Sequence, residues 1–278
     1  MALVNMKELI RQADEAGVAC GAFNVANMEM VMGVIKAAEE TNTPVIMQIA
    51  EKRLPYSPLP VIGPMMVAAA KDANIDVAVH FDHGLSMSLI RQALDMGFTS
   101  VMFDGSTMPY KGNVEKTREV VDLAKTYGAA VECEIGVVGG SEGGNIEHKI
   151  KYTDPLDAKM FSEQTGADAM AVAIGNAHGV YKEAPNLRFD ILRKVKEKSA
   201  LPLVLHGGSG ISDDDFQEAI RCGIRKVNIG TASFLAAMNY AKTFLQGDAP
   251  DYFGMSDAMV SGVFENVKHH IDVFNFRI

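Results

Sequence analysis

Eight short apolar runs recur along this chain with helically spaced segments between them, and few folds accommodate that pattern. The runs are 19–24 (ACGAFN), 44–50 (PVIMQIA), 76–82 (DVAVHFD), 99–104 (TSVMFD), 129–135 (AAVECEI), 168–174 (DAMAVAI), 202–206 (PLVLH) and 224–229 (IRKVNI). Runs rich in Val, Ala, Ile and Leu without polar alternation suit parallel strands covered on both faces. The intervening apolar residues fall at helical spacing, as in Met28, Val31, Met32, Ile35 and Ala38, or Ile90, Ala93 and Leu94. Eight strands, each followed by a helix, predict a single α/β domain over 1–278, a closed (β/α)8 TIM barrel. A doubly wound open sheet would want a glycine fingerprint after the first strand, and FNVANME carries none. Residues 255–274 read as an extra C-terminal helix. Residues 136–152, GVVGGSEGGNIEHKIKY, are too long and glycine-rich for an ordinary βα turn and read as an active-site lid.

Composition narrows the partners. The chain has 278 residues, of which 48% are hydrophobic, enough for one large core. No apolar stretch reaches the roughly 18–20 residues that span a bilayer. The start, MALVNMKELIRQADEAG, reads as an amphipathic helix rather than a signal peptide, so a cytoplasmic protein with no membrane partner is expected. Cys20, Cys133 and Cys222 are odd in number and lack CxxC spacing, which predicts buried thiols in a reducing compartment. A net charge of −9 argues against nucleic acid as a partner. An anionic ligand must then be met locally, by metal, helix N-termini and a few cationic side chains.

Three of the apolar runs lead into a histidine followed by glycine: VAVHFDHG at His83, MAVAIGNAHG at His178 and PLVLHG at His206. The carboxyl ends of barrel strands carry the chemistry of this architecture. Three imidazoles converging there match the open zinc pattern, three protein ligands plus a position left for substrate. Any one of them alone would pass for a satisfied strand-end residue; three of the seven histidines in equivalent places do not. Reading polar residues off the strand ends gives Asn24, Asp82, His83, Asp104, Glu134, His178, His206 and Asn228, all at one mouth of the barrel. Asp82 is placed to move a proton beside a metal-polarised carbonyl, or else to orient a histidine. Asp104 and Glu134 suit a second metal position, or hydrogen bonds to loop backbone.

Strand pleating sets Glu132 and Glu134 on one face, and Lys226 and Asn228 likewise. With Glu134 and Asn228 at the mouth, Glu132 and Lys226 fall one layer down. A buried lysine invites a Schiff-base reading. An internal ion pair with Glu132 is the preferred one, since an unpaired buried charge is costly and three histidines make the imine redundant. HGGSG (206–210) and NIGTAS (228–233) each run from a strand into a helix and suit a phosphate, because small residues let backbone N–H groups approach an anion.

These residues resemble the class II, metal-dependent ketose-bisphosphate aldolases, which include the fructose- and tagatose-bisphosphate enzymes. The likeness runs over nearly the whole chain: AFNVANMEM, HFDHG, SVMFDGS, VECEIG with GGSE following, YTDP, AVAIGNAHGVY, PLVLHGGSGI and KVNIGT. The resemblance implies zinc on His83, His178 and His206, with Asp104 and Glu134 as an alternate metal site. It implies Asp82 as acid/base, Glu142 as the loop carboxylate that exchanges the substrate proton, and Asn228 as the group that steadies an enediolate. Gly179, Gly207, Gly208, Ser209 and Asn228, Ile229, Gly230, Thr231 would cradle phosphate, with a monovalent cation (Na+ or K+) nearby. Asn24 joins them as a substrate-binding candidate. A homodimer or homotetramer is implied.

The implied activity is reversible aldol cleavage of a phosphorylated ketose, fructose- or tagatose-bisphosphate-like, to dihydroxyacetone phosphate and an aldehyde. The alternatives are a different ketose phosphate or a sugar-acid phosphate, and a non-catalytic aldolase-like subunit, which should have lost metal ligands. A metal-dependent hydrolase on the same barrel would show a His-x-His pair on its first strand, and ACGAFN has none. The chain departs from the family's pattern after its second strand, where QIAEKRLPYSPLP replaces a serine- or glycine-rich stretch. Arg53 there is expected at the mouth but away from the phosphate loops, either reading a second anionic group of the substrate or standing as a solvated loop arginine.

Overall fold

A computed structural model describes residues 2–140, 149–181, 183 and 185–278. Helix α1 (Met6–Ala16) precedes β1 (Cys20–Asn24), and the chain then alternates. The succession is α2 (Met28–Thr41), β2 (Val45–Ala50), α3 (Leu59–Asp72), β3 (Val77–Gly84), α4 (Met87–Asp95), β4 (Ser100–Phe103), α5 (Tyr110–Lys125) and β5 (Ala130–Ile135). A two-residue strand β6 (Gly139–Gly140) is followed by α6 (Pro155–Thr165), β7 (Ala169–Val172), a second short strand β8 (Ala177–His178) and α7 (Phe189–Lys198). The last elements are β9 (Leu203–Leu205), α8 (Asp213–Arg221), β10 (Ile224–Ile229), α9 (Thr231–Leu245) and α10 (Tyr252–Phe274). Eight strands close into a parallel barrel in the order β1-β10-β9-β7-β5-β4-β3-β2, while β6 and β8 pair with each other outside it.

The eight expected strands fall within two residues of the observed ones, because burial on both faces is what their composition encodes; every residue of β2, β3 and β5 is buried. Turn chemistry sets the helix starts. Asn27 caps α2 through Met30 N, Asp154 caps α6 just ahead of Pro155, and Ser212 caps α8, whose first turn carries Asp213, Asp214 and Asp215. The expected C-terminal helix is α10, packed on α9 and α2. Among the described residues no helix is long and apolar enough to cross a membrane.

Inside the barrel the side chains are layered. Ala22, Ile46, Ala78, Ala130, Ala169 and Val204 fill its base, and α1 closes it with Met6, Leu9, Ile10 and Ala13. Above them Glu132 and Lys226 are both fully buried, with Lys226 Nζ 2.8 Å from a Glu132 carboxylate oxygen, the ion pair expected from strand pleating. All three thiols are buried, and burial pushes Cys20 up to about 12.

Two expectations need correction. His178 does not end a barrel strand: β7 stops at Val172, and His178 lies on the short β8, paired with the glycines of β6. A turn at Gly175 (φ 113°) separates the two, and a Cβ there would come within 2.3 Å of Asn186 O. Strand β3 continues through Gly84 instead of stopping at Asp82, with one extra residue relative to β4 between Phe81 and Gly84. His83 adopts φ 46° at that bulge. Breaking the two-residue alternation there lets the adjacent Asp82 and His83 both serve the barrel mouth.

The internal ion pair yields a stability prediction. Lys226→Met should destabilise the metal-free protein by about 3–5 kcal/mol in denaturant unfolding, because it removes one of the two close partners of a fully buried carboxylate and leaves His206 alone to meet it. Adding Glu132→Gln should recover more than half of that loss; additive losses in the double variant would contradict the account.

Candidate active site

The bulged end of β3, the short strand β8 and the residue after β9 deliver His83, His178 and His206 to one point at the mouth of the barrel. Their ring centroids are separated by 4.8 Å (His83 to His178), 4.6 Å (His83 to His206) and 5.8 Å (His178 to His206). One potential ligand atom from each lies within 4.8 Å of the others, and the same holds for the set His83, Asp104 and Glu134. The structure thus brings together all five residues singled out as metal ligands.

Carboxylates orient two of the rings. His83 Nδ1 lies 2.8 Å from Asp104 Oδ2, and Asp104 Oδ1 accepts hydrogen bonds from Ser106 N and Oγ. Burial alone would raise the Asp104 carboxyl, but its contacts with His83 and Ser106 prevail and hold it well below the usual carboxylate range. His206 Nε2 lies 2.7 Å from Glu132 Oε1. Burial opposes a charge on that ring, yet Glu132 and Glu134 outweigh it and push the His206 imidazole up to about 9. Glu132, despite full burial, stays far below the ordinary range because Lys226 and His206 flank it.

The donor set fits a divalent cation. His206 Nδ1 and Glu134 Oε2 are buried and have no hydrogen bond, although they lie 3.3 Å apart. A bound cation satisfies such a pair at once, and ring nitrogens backed by carboxylates are the ligands zinc favours.

Asp82 sits beside this cluster, 1% exposed, with Oδ1 4.0 Å from His83 Nε2. Three side-chain amides fix its carboxylate: Asn24 Nδ2 and Gln48 Nε2 donate to Oδ2 at 3.1 and 3.2 Å, and Asn228 Nδ2 donates to Oδ1 at 3.3 Å. Asn228 is itself held by Lys226 Nζ, which donates to its Oδ1 at 2.7 Å.

The glycine loops close around an adjoining cavity lined by Asn24, Arg53, His178, Gly179, Gly207, Ser209, Asn228, Gly230, Thr231 and Phe234. Gly207 has φ 66°, and a Cβ there would strike Ala177 O at 2.2 Å, so only glycine lets the two loops approach this closely. Ser209 Oγ accepts from Ala232 N at the start of α9. Ile229 and Gly208 support the loops from beneath: Ile229 is buried, and Gly208 N donates to Asn228 O.

Arg53 lies elsewhere than expected. It shares the cavity of the glycine loops, with its guanidinium 5.2 Å from the centroid of the Phe234 ring. Barrel closure explains this, since β1 lies between β2 and β10, and only one strand separates the loop of Arg53 from Gly230. Arg53 sits in a single 3-10 turn, Glu51–Arg53, anchored where Glu51 Oε2 accepts from Leu85 N and Ser86 N. Glu142 lies outside the described residues.

Sequence reading missed four contributors. Gln48 looked like one polar residue within a buried run, but it braces both Asn24 and Asp82. His80, 2.9 Å from Ser100 Oγ, is kept neutral by burial and by Lys226, its imidazole lowered to about 3. Asn176 joins the loop of His178 to His206 by donating to His206 O, and Tyr181 donates to Gly207 O while accepting from Ala177 N. Residue type alone marks none of these; for Asn176 and Tyr181 the available signal was their position in AIGNAHGVY, between two loops that must touch.

Comparison with known proteins agrees with the geometry. The family profile described as fructose-bisphosphate aldolase class-II matches residues 4–277. A fructose-bisphosphate aldolase of Staphylococcus aureus is 40% identical over 255 residues, covering 91% of this chain and 89% of that protein. One from Geobacillus stearothermophilus is 38% identical over the same length. Among solved structures, the YdjI aldolase from Escherichia coli K12 superimposes with a TM-score of 0.88 at 36% identity, covering 98% of this chain and 97% of that one.

If the histidines hold metal, zinc-reconstituted protein should retain about one zinc per chain after desalting, as an open three-ligand site does. His178→Ala and His206→Ala should each abolish that retention while leaving the far-ultraviolet circular dichroism unchanged. Full zinc stoichiometry in either variant would contradict the assignment.

Proposed function

The chain belongs to the class-II fructose-bisphosphate aldolase family and is an aldolase, a lyase acting on phosphorylated sugars; from that premise we propose that it cleaves a ketose phosphate reversibly, with zinc held by His83, His178 and His206. The substrate proposed is fructose- or tagatose-bisphosphate-like, and the products are dihydroxyacetone phosphate and an aldehyde. The observation that supports this reading best is the oriented Asp82 carboxylate beside three converging imidazoles.

Zinc, when bound, polarises the substrate carbonyl and stabilises the negative oxygen that develops from it, an effect of several kcal/mol in a water-poor site. Asp82 takes the C4 hydroxyl proton as the C3–C4 bond breaks. Its carboxylate is already fixed by Asn24, Gln48 and Asn228, so little reorganisation is needed. Asn228, pinned through Oδ1 by Lys226, turns its amide N–H toward Asp82 and steadies the enediolate oxygen. Lys226 takes no covalent part; Glu132 and Asn228 already occupy its ammonium. In the resting enzyme Asp104 and Glu134 offer a second metal position with His83. Gly179, Gly207, Ser209, Gly230 and Thr231 receive the phosphate, with a Na+ or K+ ion nearby. Glu142 returns a proton to the enediolate carbon. A homodimer or homotetramer is the assembly proposed.

The test is a cleavage assay over ketose mono- and bisphosphates with and without a strong chelator. Chelation should abolish cleavage and zinc should restore it; activity persisting in chelator, with borohydride trapping substrate on Lys226, would overturn the proposal. Asp82→Ala should slow cleavage by about 10²-fold or more, the scale of a lost acid/base group. Glu142→Ala should chiefly slow exchange of the dihydroxyacetone phosphate C3 proton with solvent. Equal slowing of both processes in both variants would refute the division of roles.

A further inference from the structure

The cavity beside the histidines meets an anion mainly with neutral groups: the glycines of two loops, the Ser209 hydroxyl and the start of α9. Arg53 is the one side chain among its described lining residues with a permanent positive charge. The chain as a whole carries −9, and the buried Lys226 behind Asn228 is already paired with Glu132, so a phosphate dianion entering this cavity finds no other permanently cationic side chain among its described lining residues.

Arg53 is also prepared for such a partner. Its guanidinium forms no hydrogen bond or ion pair with another described residue, and it lies over the ring of Phe234, in the first turn of α9. Stacking on an aromatic face restrains the planar fork while leaving its N–H edges available for two oxygens of one phosphate. The turn beneath is braced from both sides, by Glu51 on Leu85 N and Ser86 N and by Ser57 Oγ on Ala26 O. The charge is therefore held at low conformational cost before any ligand arrives.

We infer that Arg53 is a substrate-binding residue for the phosphate held by the glycine loops, the phosphate of the dihydroxyacetone phosphate half, and not a reader of a second anion at the aldehyde end. This rests on the aldolase reading of the site. It makes Arg53 a determinant of affinity common to all ketose 1-phosphates, leaving discrimination between mono- and bisphosphates to other residues.

The experiment is calorimetric titration of zinc-loaded protein with inorganic phosphate and with dihydroxyacetone phosphate, for the wild type, Arg53→Gln and Arg53→Lys. Loss of one charge-assisted contact should weaken both ligands about ten- to a hundredfold in Arg53→Gln, with partial recovery in Arg53→Lys. In cleavage assays KM should rise by the same factor for a ketose 1-phosphate and its 1,6-bisphosphate, with kcat little changed. Unaltered phosphate and dihydroxyacetone phosphate binding, or no phosphate binding by the wild type, would overturn the inference and leave Arg53 as packing for Phe234. A loss confined to the bisphosphate would overturn it in favour of a distal anion. A protein that cleaves no ketose phosphate would refute the aldolase reading, while the inorganic phosphate titration would still decide the role of Arg53.

Discussion

The Glu132 carboxylate, fully buried in the barrel, is the charge on which the site's order depends. Lys226 and His206 share it at 2.8 and 2.7 Å. A carboxylate in that position is tolerable only with close cationic or hydrogen-bonding partners. From it two chains of contact run upward. One passes through His206, whose ring is turned so that Nδ1 faces Glu134. The other passes through Lys226 to Asn228 and on to Asp82. The proposed metal ligand and the proposed acid/base are thus oriented by one buried pair, and weakening it should disturb both.

The layering of the barrel makes room for this. Apolar side chains and the cap of α1 fill the base, so the ionic layer above sits on an apolar floor. Low local polarity strengthens each contact in that layer and raises the cost of leaving any member alone. At the mouth the requirement reverses, since ligands must enter and an anion must be met. There the chain supplies glycine loops that bring backbone close, and few fixed charges. In the proposed reading, an acidic protein meets its phosphorylated substrate in this way, with loop backbone and a local charge.

Much of this was legible in the amino-acid order because the same physics wrote it. Unalternated apolar runs required strands buried on both faces, and the period of two along VECEI and RKVNI was enough to place Glu132 against Lys226. His206 could be placed because it directly follows β9. His178 could not, because β8 exists only through pairing with β6, and a two-residue ladder has no local signature. The bulge at His83 was hidden for the same reason: it is a mismatch between β3 and β4, not a property of either. The direction of Arg53 depended on closure, which places the first strand beside the last. Gln48, Asn176 and Tyr181 brace the site through tertiary hydrogen bonds that side-chain chemistry permits but does not foretell.

The central claim is that three imidazoles at the barrel mouth hold the metal that receives the substrate. Zinc K-edge X-ray absorption on stoichiometrically loaded protein, with and without dihydroxyacetone phosphate, tests it most directly. The account predicts a first shell of about three nitrogens near 2.0–2.1 Å with imidazole outer-shell scattering, and oxygen ligation that changes when dihydroxyacetone phosphate is added. A shell containing sulfur, a shell of carboxylate oxygens alone, or a spectrum indifferent to dihydroxyacetone phosphate would contradict it.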